Sequence, residues 1–199
     1  MARIGILGGT FDPPHVGHLI LAEYAADALD LMRVLFVPAA DPPHKREEHK
    51  TPVEQRIRML QLAVDGNPRF SISRVDADRP GPHYSVDMIR LIQAENPGDE
   101  LYFLMGGDSL NNLPQWYQPD VLIKLCKLAV MARAGSTTLP DMHTTVLPEL
   151  AERLIILDTP MIEISSTQIT ERLALGKSVR YLVPDSVLAY IQSCHLYES

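Results

Sequence analysis

The sequence predicts a Rossmann-like α/β fold, in which a mostly parallel sheet carries helices on both faces. The chain has 199 residues, 46% of them apolar and 22% charged, which is enough for one compact domain with a full core. Strand-like runs alternate with helical patterns, and no internal repeat interrupts the alternation. A glycine-rich turn leads from the first strand into the first helix. Sheets of this kind bind ligands at the carboxyl ends of their strands.

The strands are predicted from short apolar runs at regular intervals along the chain. The runs lie at residues 4–7, 34–37, 70–73, 101–105, 128–131 and 154–157.

Helices are predicted between these runs, where apolar residues recur at helical spacing. The second helix begins at a capping box, with Thr51 as N-cap, Pro52 at the first position and Glu54 three residues after the cap. Ser85 is predicted to cap the third helix, which runs to about Glu95. The first helix has an apolar stripe formed by Leu19, Ala22, Ala26 and Leu29, and the second has one formed by Ile57, Leu60 and Val64. Two late helices are expected at residues 166–175 and 184–194.

Two stretches fit neither element. Residues 38–50 are rich in proline, histidine and charge, and follow the second strand, so they are expected at the functional edge of the sheet. Residues 134–148 are expected to form a solvated surface loop. We expect residues 1–199 to form a single domain, with the C-terminal helical part from about residue 160 packed on the sheet.

The composition excludes several functions. The net charge is −7, and no basic run is long enough to follow a phosphate backbone, so no nucleic-acid partner is expected. Cys126 and Cys194 lie far apart, which argues against a disulfide framework or thiolate metal site; both are expected to be ordinary buried or half-buried thiols. No leader or membrane span is recognisable, so we expect a cytoplasmic protein with no membrane partner.

The chemistry centres on residues 8–18, Gly-Gly-Thr-Phe-Asp-Pro-Pro-His-Val-Gly-His, here named the 8–18 loop. Gly8 and Gly9 remove side chains at the turn, so that backbone N–H groups and the Thr10 hydroxyl can face an anion. His15 and His18 stand at the positive end of the following helix, which attracts phosphate. The spacing fits neither a P-loop nor the dinucleotide fingerprint. The two histidines could instead be structural or form half of a zinc site, but no third ligand is patterned with them.

Other residues suit the same chemistry. Lys45 is a flexible cation that can reach a triphosphate, or else a solvated loop lysine. The hydroxyls of Ser165, Ser166 and Thr167 stand at a helix start, where they can bind a phosphate, cap the helix, or do both.

Two candidates suit the acceptor. Asp108 follows a strand and can accept from ribose hydroxyls, or merely cap the next helix. Trp116, the only tryptophan, lies between prolines and can stack on a cationic ring or belong to the core.

The 8–18 loop resembles the signature of the nicotinate mononucleotide adenylyltransferases, within the H-x-G-H nucleotidylyltransferase superfamily. Further motifs follow in the family's order, at residues 43–45, 84–85, 107–109, 113–117 and 164–167. The resemblance implies a fold of the nucleotidylyltransferase type and transfer of the adenylyl group of ATP to nicotinate mononucleotide. It implies that His15, His18 and Lys45 are catalytic. The ATP site would comprise Gly8, Gly9, Thr10, Phe11, His15, His18, Ser165, Ser166 and Thr167, and the acceptor site Thr10, Tyr84, Ser85, Gly107, Asp108 and Trp116.

The implied reaction needs no protein base, because the attacking phosphate monoester is mostly ionised at neutral pH. Mg²⁺ should arrive on the triphosphate, with no metal site built from the protein itself. Nicotinamide mononucleotide as the preferred acceptor, a related pantetheine-phosphate or cytidylyl transferase, and a nucleotide-binding sensor with weakened turnover are the alternatives. A homo-oligomer is possible.

One position departs from the family pattern, which has an arginine where this chain has Thr170. Arg172 lies about 200° further around an ideal helix, so it does not simply replace that arginine. We expect Arg172 or Arg133 to compensate.

Overall fold

The computed structural model describes residues 1–40, 50–131, 142–160 and 162–198. Within these residues, six strands form one sheet in the order β3-β2-β1-β4-β5-β6, and every neighbouring pair is parallel. The predicted α/β fold and its strands are therefore confirmed. The strands are β1 Arg3–Gly9, β2 Arg33–Pro38, β3 Phe70–Ile72, β4 Glu100–Gly106, β5 Lys127–Met131 and β6 Leu154–Leu157.

Helices connect the strands and extend beyond the last of them. The described residues form α1 Val16–Ala28, α2 Val53–Val64, α3 Ser85–Glu95, α4 Gly107–Asn111, α5 Pro119–Leu125, α6 Ser166–Ala174 and α7 Asp185–Ser193. Short 3-10 helices lie at Leu113–Gln115 and Pro148–Glu152.

The two faces of the sheet carry separate cores, because successive strand side chains point to opposite sides. Ile4 and Ile6 of β1 belong to one core, with α3 and α5. Leu7 of β1 and Phe36 of β2 belong to the other, with α1 and α2. Strand order reverses between β1 and β4, which are neighbours at the centre of the sheet. A ligand crevice is expected at such a reversal.

A third cluster joins the C-terminal helices to α2. Met59 of α2 packs with Ile169 of α6 and with Val187 and Ile191 of α7. None of the cluster's described members is a strand residue, so within this cluster the C-terminal helices pack against α2.

Both predicted N-caps are wrong by one residue. The N-cap of α2 is Pro52, and the Thr51 N–H, which the predicted capping box would pair with Glu54, donates to Asp12 Oδ2 at 2.9 Å. The N-cap of α3 is Tyr84, which makes Ser85 the first helical residue.

Two further expectations need correction. Cys126 is buried, and its burial raises the pKa of the thiol to about 12, but Cys194 is exposed. The end of the expected surface loop at 134–148 is not solvated throughout, since Leu147 is buried and Met142 packs on the core. No helix in the described part of the chain is both long and apolar enough to cross a membrane.

Candidate active site

A cavity of about 310 Å³ opens at the carboxyl ends of β1, β4 and β5. It lies at the reversal of strand order between β1 and β4. Its wall brings together many of the residues predicted from the sequence, which lie far apart in the chain. Those lining it are Gly8, Gly9, Thr10, His15, His18, Ser85, Asp108 and Trp116.

The histidine pair is held in a defined geometry at the start of α1. The two rings stack with their centroids 3.6 Å apart and 22° between their planes. The backbone N–H of His15 donates to His18 Nδ1 at 3.2 Å. With Nδ1 as acceptor, the proton of a neutral His18 ring is on Nε2, so that atom is a hydrogen-bond donor.

Gly17 explains the spacing of the two histidines. A Cβ at this position would lie 3.0 Å from His15 Nδ1 and 3.2 Å from Cε1, too close for the ring to stay where it is. A larger residue at position 17 would therefore require the His15 ring to shift by a few tenths of an ångström. Gly9 is similar, since a Cβ there would approach the Phe11 ring at 3.1 Å.

The side chain of Phe11, a residue of the 8–18 loop, packs into the core. Its ring is buried against Phe36, with centroids 6.0 Å apart, and meets the edge of His18 at 4.9 Å. Its side chain is not among the described residues that line the cavity. The ring therefore supports His18 from the core.

Trp116 is another residue of the cavity wall. Its half-buried ring meets the edge of Phe103 at 6.1 Å, while the residue also lines both the main cavity and an adjoining one of about 350 Å³. Asp108 lines both cavities as well. The tryptophan thus packs on the core through one part and remains accessible through another.

Tyr84 and Gly107 are next in the chain to residues of the cavity wall. Tyr84 stacks on Tyr117 with ring centroids 4.3 Å apart, and Gly107 is the buried first residue of α4. Neither is among the described lining residues, whereas their neighbours Ser85 and Asp108 are.

The start of α6 lies beside the 8–18 loop. Ser165 caps α6 by accepting from the Gln168 N–H at 3.2 Å, and Ser166 Oγ donates to the Pro13 carbonyl at 2.9 Å. Thr167 is exposed. Ile164 reaches the cavity wall, but Ser165, Ser166 and Thr167 are not among its described lining residues.

Arg172, one of the two arginines expected to compensate for Thr170, makes its described hydrogen bonds elsewhere. Arg172 Nε and Nη2 both donate to the Ser178 carbonyl, at 3.0 and 2.8 Å, so its guanidinium is bound beyond the C-terminal end of α6. Thr170 Oγ1 donates to Thr167 within its own helix. Arg133 and Lys45 lie outside the described residues.

The comparisons with known proteins agree with this site. A family model described as cytidylyltransferase-like matches residues 6–172. A probable nicotinate-nucleotide adenylyltransferase of Thermomicrobium roseum is 46% identical over 201 residues, covering 100% of this chain and 93% of the relative. The nicotinate-nucleotide adenylyltransferase of Bacillus subtilis is 39% identical, with 100% of both chains covered.

The chain belongs to the nicotinate-nucleotide adenylyltransferase family. The resemblance found in the sequence is thus confirmed. The fold agrees as well: the solved structure of Plasmodium falciparum nicotinic acid mononucleotide adenylyltransferase complexed with NaAD has a TM-score of 0.81 and 16% identity, covering 99% of this chain and 98% of that one.

Two cavity residues of this adenylyltransferase were missed in the sequence. Asp76 and His83 are buried and line the cavity next to Ser85. Asp76 Oδ1 accepts from Arg79 Nε at 2.9 Å; burial raises the pKa of Asp76, and Arg79 opposes that rise. His83 Nε2 donates to the Arg79 carbonyl at 3.1 Å. His83 could have been suspected from its place before Tyr84, but no local pattern marks Asp76.

Arg56 of α2 was also missed. Its side chain is 1% exposed and donates only to backbone carbonyls in its described hydrogen bonds. The acceptors are Thr51 (2.9 Å), Thr10 (2.6 Å), Ala39 (2.9 Å) and Ala40 (3.4 Å). It thereby links the 8–18 loop to the residues just after β2 and to Thr51, two residues before α2. Arg56 lies four residues before Leu60, on the same face as the apolar stripe, and this spacing is the signal that could have found it.

Proposed function

We propose that this chain transfers the adenylyl group of ATP to nicotinate mononucleotide, giving deamido-NAD and pyrophosphate in NAD biosynthesis. One observation carries the proposal. A single cavity is lined by the histidine pair and the glycine turn and also by Trp116 and Asp108. The first set of residues suits phosphates, and the second suits a flat ring with its ribose. Family membership supports the same reaction.

The chemistry requires two anions to be held together. An oxygen of the acceptor's phosphate attacks the α-phosphorus of ATP, and the bond from that phosphorus to the bridging oxygen of the β-phosphate breaks. Pyrophosphate leaves with the electron pair. The attacking group is already ionised, so positioning and neutralisation of charge provide most of the catalysis.

His18 and the loop amides would neutralise this charge. Because Nδ1 of His18 accepts from the His15 backbone N–H, a neutral His18 ring carries its proton on Nε2. We assign His15 and His18 to the α-phosphate oxygens and the departing pyrophosphate, and Gly8, Gly9 and Thr10 to the same phosphates through N–H and hydroxyl groups. Phe11 would act through the position of His18. Lys45 is proposed as a further cation from the sequence pattern alone.

The start of α6 would meet the outer phosphates of ATP. Ser165, Ser166 and Thr167 offer N–H and hydroxyl groups at a helix N-terminus. Mg²⁺ would be carried by the triphosphate and would supply further positive charge there. The part of the chain that the structure describes holds no cluster of three metal-ligating side chains.

On the acceptor side, Trp116 would stack on the pyridinium ring and Asp108 would accept from ribose hydroxyls. Backbone donors near Ser85 would bind the nicotinate carboxylate, with Tyr84 and Gly107 holding that wall in place. An amide would present N–H to these donors and leave one of them unpaired, which costs about 1–3 kcal/mol. Nicotinate mononucleotide should therefore be preferred over the nicotinamide form.

Pyrophosphate release tests the proposal directly. The chain is incubated with Mg-ATP and either nicotinate or nicotinamide mononucleotide, and CTP replaces ATP as a control. We expect release with ATP and the nicotinate acceptor, and a much smaller kcat/KM with the nicotinamide form. Equal values for the two acceptors would refute the nicotinate preference, and no release with either would refute the transferase itself.

A further inference from the structure

A partly buried polar cluster joins the 8–18 loop to distant parts of the chain. It consists of Asp12, Thr51, Arg56 and Tyr197, here named the support cluster. The Tyr197 hydroxyl donates a hydrogen bond to Asp12 Oδ1, and the Thr51 N–H donates to Asp12 Oδ2 at 2.9 Å. Both oxygens of one carboxylate are thus bound by residues from distant parts of the chain, 185 and 39 positions away.

The charges in the support cluster are balanced. Burial lowers the pKa of Arg56 and the Asp12 carboxylate opposes this, so the guanidinium and the carboxylate stabilise each other. Burial raises the pKa of Tyr197 well above its usual value, and Asp12 raises it further. The phenol therefore stays neutral and acts as a hydrogen-bond donor. A partly buried carboxylate that lost this donor would be left partly unsatisfied.

None of the four residues is among the described residues that line the cavity. Their contacts instead reach the backbone that carries the site. Arg56 binds the Thr10 carbonyl, and Asp12 lies three residues before His15. The segment before α7 adds another contact, since the Val16 N–H donates to the Leu182 carbonyl at 3.0 Å. The loop is therefore held by residues that do not line the cavity, through hydrogen bonds to its backbone and to the Asp12 side chain.

We infer that Tyr197 is a positioning residue for adenylyl transfer. Its hydroxyl fixes the Asp12 carboxylate, and through it the segment from Thr10 to His15 that presents the histidine pair to the α-phosphate. The inference rests on the proposed function for its effect on turnover, but its effect on the loop can be measured without turnover. It assigns Tyr197 no contact with either substrate.

The first experiment is Tyr197→Phe, which removes one oxygen and keeps the ring. We expect kcat for pyrophosphate release to fall about tenfold, with KM for the acceptor unchanged, because a small misplacement of the histidines affects the transition state more than binding. Tyr181→Phe is the matched control: it removes the same atom from a side chain that is 80% exposed in the same C-terminal segment. Ile191→Val, which trims the cluster between α7 and α2, controls for mere destabilisation.

The expected pattern separates positioning from stability. Ile191→Val should lower the melting temperature and leave kcat unchanged. Asp12→Asn should lower kcat, and adding Tyr197→Phe to it should cause little further loss, because the tyrosine is inferred to act only through the Asp12 carboxylate. A normal kcat in Tyr197→Phe, or an equal fall in Ile191→Val, would overturn the inference.

Amide hydrogen exchange provides the readout that does not depend on the reaction. Exchange in the peptide covering residues 10–18 should become faster in Tyr197→Phe and stay unchanged in Tyr181→Phe. Unchanged exchange in both variants would refute the positioning role even if the proposed reaction is correct. Faster exchange in a chain that releases no pyrophosphate would leave the contact established and refute the proposed function instead.

Discussion

Two segments of this chain can meet phosphates, and they are held in different ways. The 8–18 loop receives hydrogen bonds from residues throughout the chain, including Arg56, Thr51, Tyr197 and Ser166. The first turns of α6 rely mainly on local contacts, in which Ser165 caps its own helix and Thr170 binds Thr167. The loop is part of the folded framework, while the start of α6 is a capped helix end beside it.

This difference predicts different roles in catalysis. Donors that are fixed before the substrate arrives need no reorganisation at the moment of reaction, so their contribution falls mainly on the transition state. Donors on a locally held helix end contribute more to substrate binding and to stability. Changes in the loop should therefore act mainly on kcat, and changes in α6 mainly on KM and the melting temperature.

The largest effect is expected for His18→Ala. Loss of the Nε2–H donor should lower kcat by roughly 100-fold or more, while the melting temperature changes little because the ring is only partly buried. Steady-state pyrophosphate release and circular dichroism give the two values. A nearly normal kcat would remove His18 from the catalytic site and with it the main contrast between the two segments.

Adjacent serines provide a matched pair at the boundary between the segments. Ser165→Ala removes the helix cap and Ser166→Ala removes the hydrogen bond to the Pro13 carbonyl, each at a cost of about 1 kcal/mol. Both should lower the melting temperature by about 2–4 °C. Only Ser166→Ala should also lower kcat, by about threefold, since only that bond reaches the loop. The same fall in kcat for Ser165→Ala would contradict the division.

The smallest effect is expected where the chain departs from its family. Thr170→Arg would add a cation near the triphosphate and should lower KM for ATP by about threefold, with kcat unchanged. Arg172→Ala is the control and should leave KM for ATP unchanged, because the guanidinium is bound to the Ser178 carbonyl. A rise of KM in Arg172→Ala would show that Arg172 reaches the nucleotide after all. ATP titrations of both variants decide this.

The sheet could be predicted because each strand corresponds to a short apolar run in its own segment of the sequence. Each of the six apolar runs became a parallel strand, with bounds that differ by a few residues. The helix caps were less predictable: Thr51 was a reasonable N-cap by its type, but a long-range hydrogen bond to Asp12 uses its backbone N–H. A local pattern cannot contain a contact between residues 39 positions apart.

The same reasoning separates the two parts of the site. The 8–18 loop was recognisable because glycines, histidines and a strand-helix junction stand together in the chain. Asp76, Arg56 and Tyr197 were not, since their importance arises from burial and from partners elsewhere in the fold. Trp116 lay between the two cases, and its half-buried position is compatible with both of its predicted readings.

The support cluster also bears on the order in which the site can form during synthesis. A nascent chain emerging from the ribosome has made the 8–18 loop long before Tyr197, which follows Asp12 by 185 residues. The pairing of β1 with β4 must also wait, since Arg3 lies opposite Glu100. Contacts of such long range form late and slow folding. The histidine pair is therefore translated well before Tyr197, and its loop can gain the Tyr197 contact only after that residue has been added.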